Sequence, residues 1–390
     1  MNFIPYGKQN IDQEDINAVV EVLKSDFLTT GPKIMEFEKI ICQFTGAKFA
    51  VAVSSGTAAL HLASLVLLKK GDKVLTTPNS FLATSNAIVY TDSTPIFVDI
   101  LDNGNIDLDA CEKKLVEDRS IKAIYVVHFS GNPVDQEKLA YLKDKYNVLI
   151  LEDCAHSLGS NDGEVKAGSC TNSECSILSF HPVKHLTTGE GGAITTNSEK
   201  IYQQLLSLRM HGMERSDFID DSMAYDKKGN MNPWYYEMRV LGYNYRITDF
   251  QCALGINQFK KLNFYIDKRK KLAQNYDNAF RNSIISPLYK YDGKSSYHLY
   301  VVKINFEKLN ITKAELFAKM RDYSIGLQVH YIPINKQPFY QDRGYGNEMT
   351  PIMDKYYQDC FSLPLYPSLN FDEQNYVIGT LENIINEYIK

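Results

Sequence analysis

The feature that most constrains the fold is an alternation of short apolar strands with helices along residues 49–151. Strands that alternate with helices favour a mostly parallel sheet with helices on both faces. Ligands of such sheets lie beyond the carboxyl ends of the strands. The predicted strands are residues 49–53, 74–77, 95–99, 123–129 and 148–151, and the predicted helices are residues 58–68, 81–89, 110–116 and 135–146.

The second part of the chain has a different pattern. Its predicted helices are residues 248–259, 266–280 and 373–388, with another that begins at Thr312, and its predicted strands are residues 297–304 and 327–332. A chain of 390 residues exceeds the size at which a single core usually stops growing. We therefore predict a large α/β domain over residues 1–250 and a smaller α+β domain over residues 251–390.

Composition excludes several classes of function. The net charge of −5 and the absence of a long block of Lys or Arg disfavour a nucleic-acid partner. No signal-peptide pattern begins the chain, and the most apolar stretch, residues 58–68, is too short to span a bilayer. The seven cysteines include no C-x-x-C pair, and Cys170 and Cys175 lack the spacing of a zinc site. These features predict a cytoplasmic protein with reduced thiols and neither a metal nor a membrane partner.

Lys184 is the first candidate for chemistry. It follows an apolar strand end at residues 177–180, and Pro182 prevents that strand from continuing. Residues 193–196 then read as a new strand, so Lys184 is predicted on a turn between two core elements. A lysine in a dry pocket becomes a nucleophilic amine, as a Schiff base with an aldehyde cofactor requires. A surface lysine on a loop is the alternative.

Asp153 is the second candidate. It directly follows the apolar strand at residues 148–151. A carboxylate at a buried strand end is costly unless it meets a cation, such as the protonated pyridine nitrogen of pyridoxal phosphate (PLP). A helix cap or a structural hydrogen bond is the alternative for Asp153.

Other polar groups are predicted at the same edge of the sheet. Gly56 and Thr57 begin a helix whose free N–H groups suit a phosphate, although many plain strand-helix connections look alike. The hydroxyl of Ser179 suits the phosphate, and the ring of Phe81 suits a stacked cofactor or ordinary core packing. Asn244 precedes a helix and is also a candidate capping residue.

Seven motifs, taken together and in order, resemble the DegT-type sugar aminotransferases, which are PLP-dependent enzymes of fold type I. The likeness extends over nearly the whole chain. The motifs are Ser54-Ser-Gly-Thr-Ala-Ala-Leu, Thr77-Pro-Asn-Ser-Phe-Leu-Ala-Thr, Glu152-Asp-Cys-Ala-His-Ser-Leu-Gly, Ser179-Phe-His-Pro-Val-Lys, Gly189-Glu-Gly-Gly-Ala, Gly242-Tyr-Asn-Tyr-Arg and Val329-His-Tyr-Ile-Pro.

This resemblance implies a fold and a set of roles around the cofactor. The fold is a large domain with a mostly parallel seven-stranded sheet flanked by helices, followed by a smaller α+β domain. Lys184 forms the Schiff base with PLP, and Asp153 pairs with the pyridine nitrogen. Phe81 stacks on the ring, and His156 lies close to it.

The resemblance also implies how the phosphate is held. Gly56, Thr57 and Ser179 bind the phosphate of the cofactor in their own chain. Asn244 reaches the phosphate of the cofactor in a second subunit, which implies a homodimer with shared active sites.

Within the family, the likeness is to enzymes of the pseudaminic acid type. It implies transfer of an amino group from L-glutamate to carbon 4 of a UDP-linked 4-keto-6-deoxy-N-acetylhexosamine. The candidate substrate residues are Tyr6, Thr29, His330 and Tyr331. For Tyr6 and Thr29 the alternative is a solvated terminus and a solvated loop. The loop at residues 213–239 departs most from the family pattern.

Three alternative functions stay open at this point. One is amination of another nucleotide-linked keto-deoxysugar, either a 3-keto or a dTDP-linked one. Another is a PLP-dependent sugar dehydratase, since some relatives carry histidine at the position of Lys184. The third is a non-catalytic sensor, which Lys184 and Asp153 together disfavour.

Overall fold

The computed structural model describes residues 2–390. The strands are β1 (Phe49–Val53), β2 (Lys73–Thr76), β3 (Thr94–Phe97), β4 (Ile121–Val127), β5 (Leu149–Asp153), β6 (Asn161–Asp162), β7 (Val165–Lys166), β8 (Cys175–Ser179), β9 (Gly192–Thr196), β10 (Met213–Glu214), β11 (Glu237–Met238), β12 (Ser286–Pro287), β13 (Tyr300–Lys303) and β14 (Cys360–Leu363).

The helices are α1 (Gln13–Leu23), α2 (Pro32–Thr45), α3 (Gly56–Leu67), α4 (Leu82–Val89), α5 (Leu108–Glu117), α6 (Gln136–Tyr146), α7 (Glu199–Arg209), α8 (Asp221–Ala224), α9 (Asp249–Ala279), α10 (Lys313–Asp322), α11 (Pro338–Gln341), α12 (Pro351–Asp359) and α13 (Phe371–Glu387). Across residues 2–390, none of the helices combines the length and the apolar character needed to cross a lipid bilayer.

The central sheet confirms the predicted mostly parallel seven-stranded architecture. Its strand order is β1-β9-β8-β5-β4-β2-β3, and β9 is the strand that runs antiparallel to its neighbours. Its strands are almost entirely buried, as expected for a sheet covered on both faces. Because β5 and β8 are adjacent and parallel, Asp153 and Ser179 emerge at the same edge.

Helix α9 differs from the prediction of two separate helices. It is one helix of 31 residues, because no Gly or Pro interrupts residues 259–266 and both Leu262 and Tyr265 are buried there. Gly255 lies inside it where a Cβ atom would come within 2.5 Å of the Phe37 ring of α2. The first part of α9, residues 252–266, thus packs into a core that it shares with the central sheet. Leu272 and later residues of α9 belong to a second core.

The second core surrounds a three-stranded antiparallel sheet of order β12-β13-β14, which fits the predicted α+β character of the C-terminal part. The strand predicted at residues 327–332 is wrong. That segment pairs with β14 at a single bridge between Gln328 and Ser362, and beyond it the chain turns toward a cavity instead of continuing the ladder. The boundary between residues 250 and 251 stays a prediction.

The N-terminal segment is tied to the C-terminal core. Ile4 is buried, its N–H donates to the carbonyl of Ser324 (2.8 Å), and its carbonyl accepts from the N–H of Gly326 (2.8 Å). The carbonyl of Tyr6 accepts from the N–H of Leu365 (3.0 Å). These backbone contacts hold the side chain of Tyr6 at the cavity described below.

The segment at residues 213–239 folds back on itself. Strands β10 and β11 pair in register Met213 with Met238, and the short helix α8 lies between them. The segment exposes large apolar side chains, including Ile219 and Trp234.

Candidate active site

A cavity of about 550 Å³ opens at the carboxyl edge of the central sheet. It is bounded by the end of β5, the end of β8, the first turns of α3 and α4, and the C-terminal segment at residues 328–331. The structure brings most of the predicted site residues together in its lining: Tyr6, Gly56, Thr57, Phe81, Asp153, His156, Ser179, Lys184, His330 and Tyr331.

Lys184 lies on the loop that joins β8 to β9. This loop is closed at its base, where the N–H of Phe180 donates to the carbonyl of Gly191 (2.9 Å) and the N–H of Thr188 donates to the carbonyl of Phe180 (3.0 Å). Burial lowers the pKa of Lys184 to about 8, although the nearby charge of Asp153 acts in the opposite direction. The share of neutral, nucleophilic amine near neutral pH is therefore much larger for Lys184 than for an ordinary lysine.

Asp153 ends β5 with its carboxylate buried at the cavity wall. The hydroxyl of Thr84 donates to Oδ2 (2.7 Å), and the N–H of Ala155 donates to Oδ1 (3.0 Å). Burial raises the pKa of Asp153, and these two hydrogen bonds and the charge of Lys184 act against that rise. A buried carboxylate of this kind favours a cationic group in the cavity, as predicted from the sequence.

The first turn of α3 forms a cradle for an anion. Ser55 caps the helix by accepting from the N–H of Ala58 (3.0 Å), which leaves the N–H groups of Gly56 and Thr57 at the positive end of the helix. A Cβ atom at Gly56 would lie 3.0 Å from Cβ of Ser179. Glycine therefore lets the helix end approach Ser179 closely, so that amides and a hydroxyl converge as a phosphate requires.

His156 is fixed on both sides of its ring. Its Nδ1 accepts from the N–H of Ser130 (3.3 Å), so in the neutral ring Nε2 carries the proton and donates to the hydroxyl of Tyr331 (3.0 Å). Burial holds the pKa of His156 well below its usual value, and the charge of Lys184 acts in the same direction. His156 is thus a neutral hydrogen-bond donor.

The cavity wall on the C-terminal side is formed by three predicted residues, Tyr6, His330 and Tyr331. Nδ1 of His330 lies 2.8 Å from the Ser362 hydroxyl, and the rings of His330 and Tyr6 meet edge to face at 5.1 Å. Burial lowers the pKa of His330 to about 3 and raises the pKa of Tyr331. This wall is uncharged, with several hydrogen-bonding groups. Phe81, which is 60% exposed, lies at the rim with its ring 6.3 Å from that of Tyr331.

Two predicted site residues lie outside the cavity of their own chain. Thr29 is exposed and forms a bridge with Thr248 at the start of α9. Asn244 is exposed as well, and its Oδ1 accepts from Nε of Arg246 (2.9 Å). Their proposed contacts therefore need a second subunit or a substrate that extends beyond the cavity.

Residues that the sequence did not single out also line the site. Thr84 lies one helical turn after Phe81, within the same sequence motif. His298 reaches the cavity from the segment before β13, and its ring packs at a tilt against that of His156 with the ring centroids 4.4 Å apart. His298 could not be found from the sequence, because it is far along the chain from the other motifs. Thr84 could be found, because it lies three residues after Phe81 on α4.

Taken together, the site fits PLP. A nucleophilic lysine, a buried carboxylate and an amide-lined anion cradle occupy one cavity. These are the groups that the aldehyde, the pyridine nitrogen and the phosphate of the cofactor need.

The profile of the DegT/DnrJ/EryC1/StrS aminotransferase family matches residues 9–382. The chain belongs to this family. It is accordingly a PLP-dependent aminotransferase with the fold of type I, which confirms the enzyme class, the cofactor and the fold predicted from the sequence.

Individual relatives are similar over their full length. The chain is 38% identical to the UDP-4-amino-4,6-dideoxy-N-acetyl-beta-L-altrosamine transaminase of Campylobacter jejuni, over 99% of both chains. It is 35% identical to the spore coat polysaccharide biosynthesis protein SpsC of Bacillus subtilis, over 98% of this chain and 97% of that protein. Among solved structures, PseC of Helicobacter pylori, an aminotransferase involved in the biosynthesis of pseudoaminic acid, has a TM-score of 0.89 and 31% identity, covering 99% of this chain and 100% of its own.

Proposed function

We propose that this aminotransferase moves the amino group of L-glutamate to carbon 4 of a UDP-linked 4-keto-6-deoxy-N-acetylhexosamine. The observation that carries the proposal is the uncharged wall of Tyr6, His330 and Tyr331, which offers aromatic faces and hydrogen-bonding groups toward the cavity. Such a surface suits a deoxysugar with an N-acetyl group. The full-length similarity to the Campylobacter transaminase supports the same substrate.

In this proposal, PLP supplies an aldehyde that takes up the amino group and a ring that withdraws electrons from the reacting carbon. Gly56, Thr57 and Ser179 bind its phosphate. Asp153 keeps a proton on the ring nitrogen, because its buried carboxylate is stabilised by a cation beside it. Phe81, at the rim of the cavity, would hold the ring by stacking.

Lys184 acts as the acid and the base in this proposal. With a pKa of about 8, its amine accepts a proton from one carbon and returns it to another at neutral pH. His156 stays neutral and holds the hydroxyl of Tyr331 in place beside the reacting groups. The net result is that glutamate leaves as 2-oxoglutarate and the keto group of the sugar becomes an amine.

A panel of acceptors tests the substrate. Initial rates with glutamate are measured for UDP-linked 4-keto, UDP-linked 3-keto and dTDP-linked 4-keto sugars. We expect the UDP-linked 4-keto sugar with an N-acetyl group to react fastest, because a polar site rejects analogues that leave its groups unpaired. Preference for a 3-keto or dTDP-linked sugar would contradict the proposed substrate. A keto sugar that serves polysaccharide biosynthesis is the second candidate acceptor, because a relative of similar identity, SpsC, is named as a spore coat polysaccharide biosynthesis protein.

The roles of His330 and Tyr331 are tested by separating the two halves of the reaction. We expect His330→Ala and Tyr331→Phe to slow amination of the keto sugar about tenfold or more, while conversion of the cofactor by glutamate alone keeps its rate. The first half is followed by the visible absorbance of the bound cofactor, and the second by the sugar product. Equal loss in both halves would mean that these residues serve the cofactor. For Tyr331 this result would be explained by its hydrogen bond with His156.

We propose that the active unit is a homodimer in which Asn244 contacts the phosphate of the partner's cofactor. The exposed position of Asn244, away from its own cavity, supports this arrangement. We expect a mixture of Lys184→Ala and Asn244→Ala chains, refolded together, to recover about a quarter of wild-type activity, since half of the dimers would contain one intact site.

The control for this mixture is Lys184→Ala with Asp153→Asn. Both residues lie in the cavity of one chain, so this mixture has a damaged residue in every site and should recover nothing. Recovery in the control, or none in the Asn244 mixture when mixed dimers are present, would contradict the shared site.

We also propose that the reaction takes place in the cytoplasm, because all seven cysteines are free thiols, as in a reducing compartment.

A further inference from the structure

Arg269 is a buried cation without a carboxylate partner in the described part of the chain. It lies on α9 and is 0% exposed, and burial lowers its pKa to about 10. Its Nη1 donates to the carbonyls of Leu365 (2.9 Å) and His298 (3.1 Å), with a longer contact to Tyr297 (3.4 Å). Within residues 2–390, its Nε and Nη2 have no acceptor. A guanidinium buried in this way costs stability.

One of the carbonyls that Arg269 binds belongs to His298, which lines the active-site cavity. The N–H of His298 donates to the carbonyl of Ser130 (2.9 Å), and the ring of His298 packs at a tilt against the ring of His156 inside the cavity. The carbonyl of Ser296 lies 3.3 Å from Nε2 of His185, the residue that follows Lys184. Arg269 therefore joins α9 to the same segment that contacts the lysine loop.

The charge of Arg269 also reaches the lysine. Burial is the main cause of the low pKa of Lys184, the charge of Asp153 raises that pKa, and the charge of Arg269 lowers it. The carboxylate of Glu190 lines the same cavity as Lys184. The other titratable groups that face Lys184, from its own loop and from neighbouring elements, are His156, His181, His185, His298, His330 and Tyr331. Burial keeps the pKa values of these histidines low and that of the tyrosine high, so they are uncharged near pH 8.

We propose that Arg269 is a positioning residue for the amine of Lys184: its buried positive charge opposes the attraction of Asp153 and favours the neutral amine, while its hydrogen bonds hold the backbone of Tyr297 and His298 beside the cavity. This inference rests on the proposed role of Lys184. The unpaired guanidinium is then explained, because a carboxylate partner would cancel the charge that acts on the lysine. The local sequence does not indicate this role, since Arg269 stands among lysines in a helix that looks solvent-facing.

The test is a titration of Lys184 in the cofactor-free full-length protein. Short pulses of formaldehyde and cyanoborohydride methylate neutral amines, and mass spectrometry of the peptide that contains Lys184 gives the midpoint pH of its reaction. The variants are Arg269→Met and Arg269→Gln, which remove the charge, and Arg269→Lys, which keeps a charge with fewer hydrogen bonds. Arg281→Met, at an exposed position just beyond α9, is the matched control. Circular dichroism establishes which variants fold.

We expect a midpoint near pH 8 in the unmodified protein and in Arg281→Met. The midpoint should rise by about one unit in the neutral Arg269 variants and by much less in Arg269→Lys. An unchanged midpoint in a folded neutral variant would overturn the proposal, and so would an equal rise in Arg269→Lys. Failure of both neutral variants to fold, while Arg269→Lys folds, would assign Arg269 a purely structural role and also overturn it. Because no sugar is used, this result is independent of the acceptor panel.

Discussion

Replacement of Lys184 with alanine is expected to lower the rate of amino transfer by at least about ten-thousandfold, which corresponds to about 5 kcal/mol of transition-state stabilisation. The amine is the group in the cavity whose pKa of about 8 suits both release and uptake of a proton. Alanine removes the nucleophile and the acid-base group together. The rate is measured by formation of 2-oxoglutarate from glutamate in the presence of the keto sugar.

Lys184→Arg is the matched control for this substitution. It keeps a positive charge beside Asp153 but has no amine that forms a Schiff base, so we expect the same loss. The visible absorbance of the lysine-bound cofactor should disappear in both variants, while PLP still binds through the cradle at Gly56 and Ser179. Cofactor that borohydride reduction still fixes covalently to Lys184→Ala would place the Schiff base at another lysine.

Replacement of Asp153 with asparagine is expected to lower the rate at least about a hundredfold, or about 2.7 kcal/mol. Asparagine keeps the shape of the side chain and its contact with Thr84 but has no charge to hold a proton on the cofactor nitrogen. The rate per mole of bound cofactor is the measurement, since weaker binding of PLP would otherwise be counted as slower chemistry. Near-normal turnover would remove Asp153 from the ring.

Two neighbouring variants separate charge from packing. Glu152 precedes Asp153 on β5 and so points to the opposite face of the sheet, where it accepts from Gln136 and Ser173 (2.9 and 2.5 Å). Glu152→Gln should lower stability and leave the rate of folded enzyme near normal. Thr84→Val removes one hydrogen bond from Asp153 and should lower the rate by about tenfold or less. A loss in Glu152→Gln as large as in Asp153→Asn would mean that the effect is structural.

The large sheet was predictable because its signals are local. Each strand is a short apolar run next to a helix of different period, and parallel strands bring their carboxyl ends to one edge. Asp153 and Lys184 could therefore be placed together from the order of strands and helices along the chain. The single helix α9 had one local signal, the absence of Gly and Pro at residues 259–266, and its other support is the burial of Leu262 and Tyr265 against distant elements. The strand predicted at residues 327–332 is limited to the bridge of Gln328 to β14, which is a contact far along the chain. Local pattern carries no information about such contacts.

The candidate site shows the same division. Residues within the sequence motifs line the cavity, and Thr84 could have been found from its spacing to Phe81 on α4. His298 and Arg269 could not, because each acquires its position from elements distant in the chain. The contributions of Thr29 and Asn244 stay predictions, since both residues lie outside the cavity of their own chain.

The central claim is tested most directly by following the transferred nitrogen. PLP-loaded protein is mixed with glutamate that carries a heavy-nitrogen label and with a UDP-linked 4-keto-6-deoxy-N-acetylhexosamine, and the sugar product is examined by mass spectrometry and NMR. We predict a UDP-linked amino sugar with the label on carbon 4, formed by the unmodified protein and absent with Lys184→Ala. A sugar that loses oxygen without gaining labelled nitrogen, or a label on another carbon, would contradict the proposed reaction.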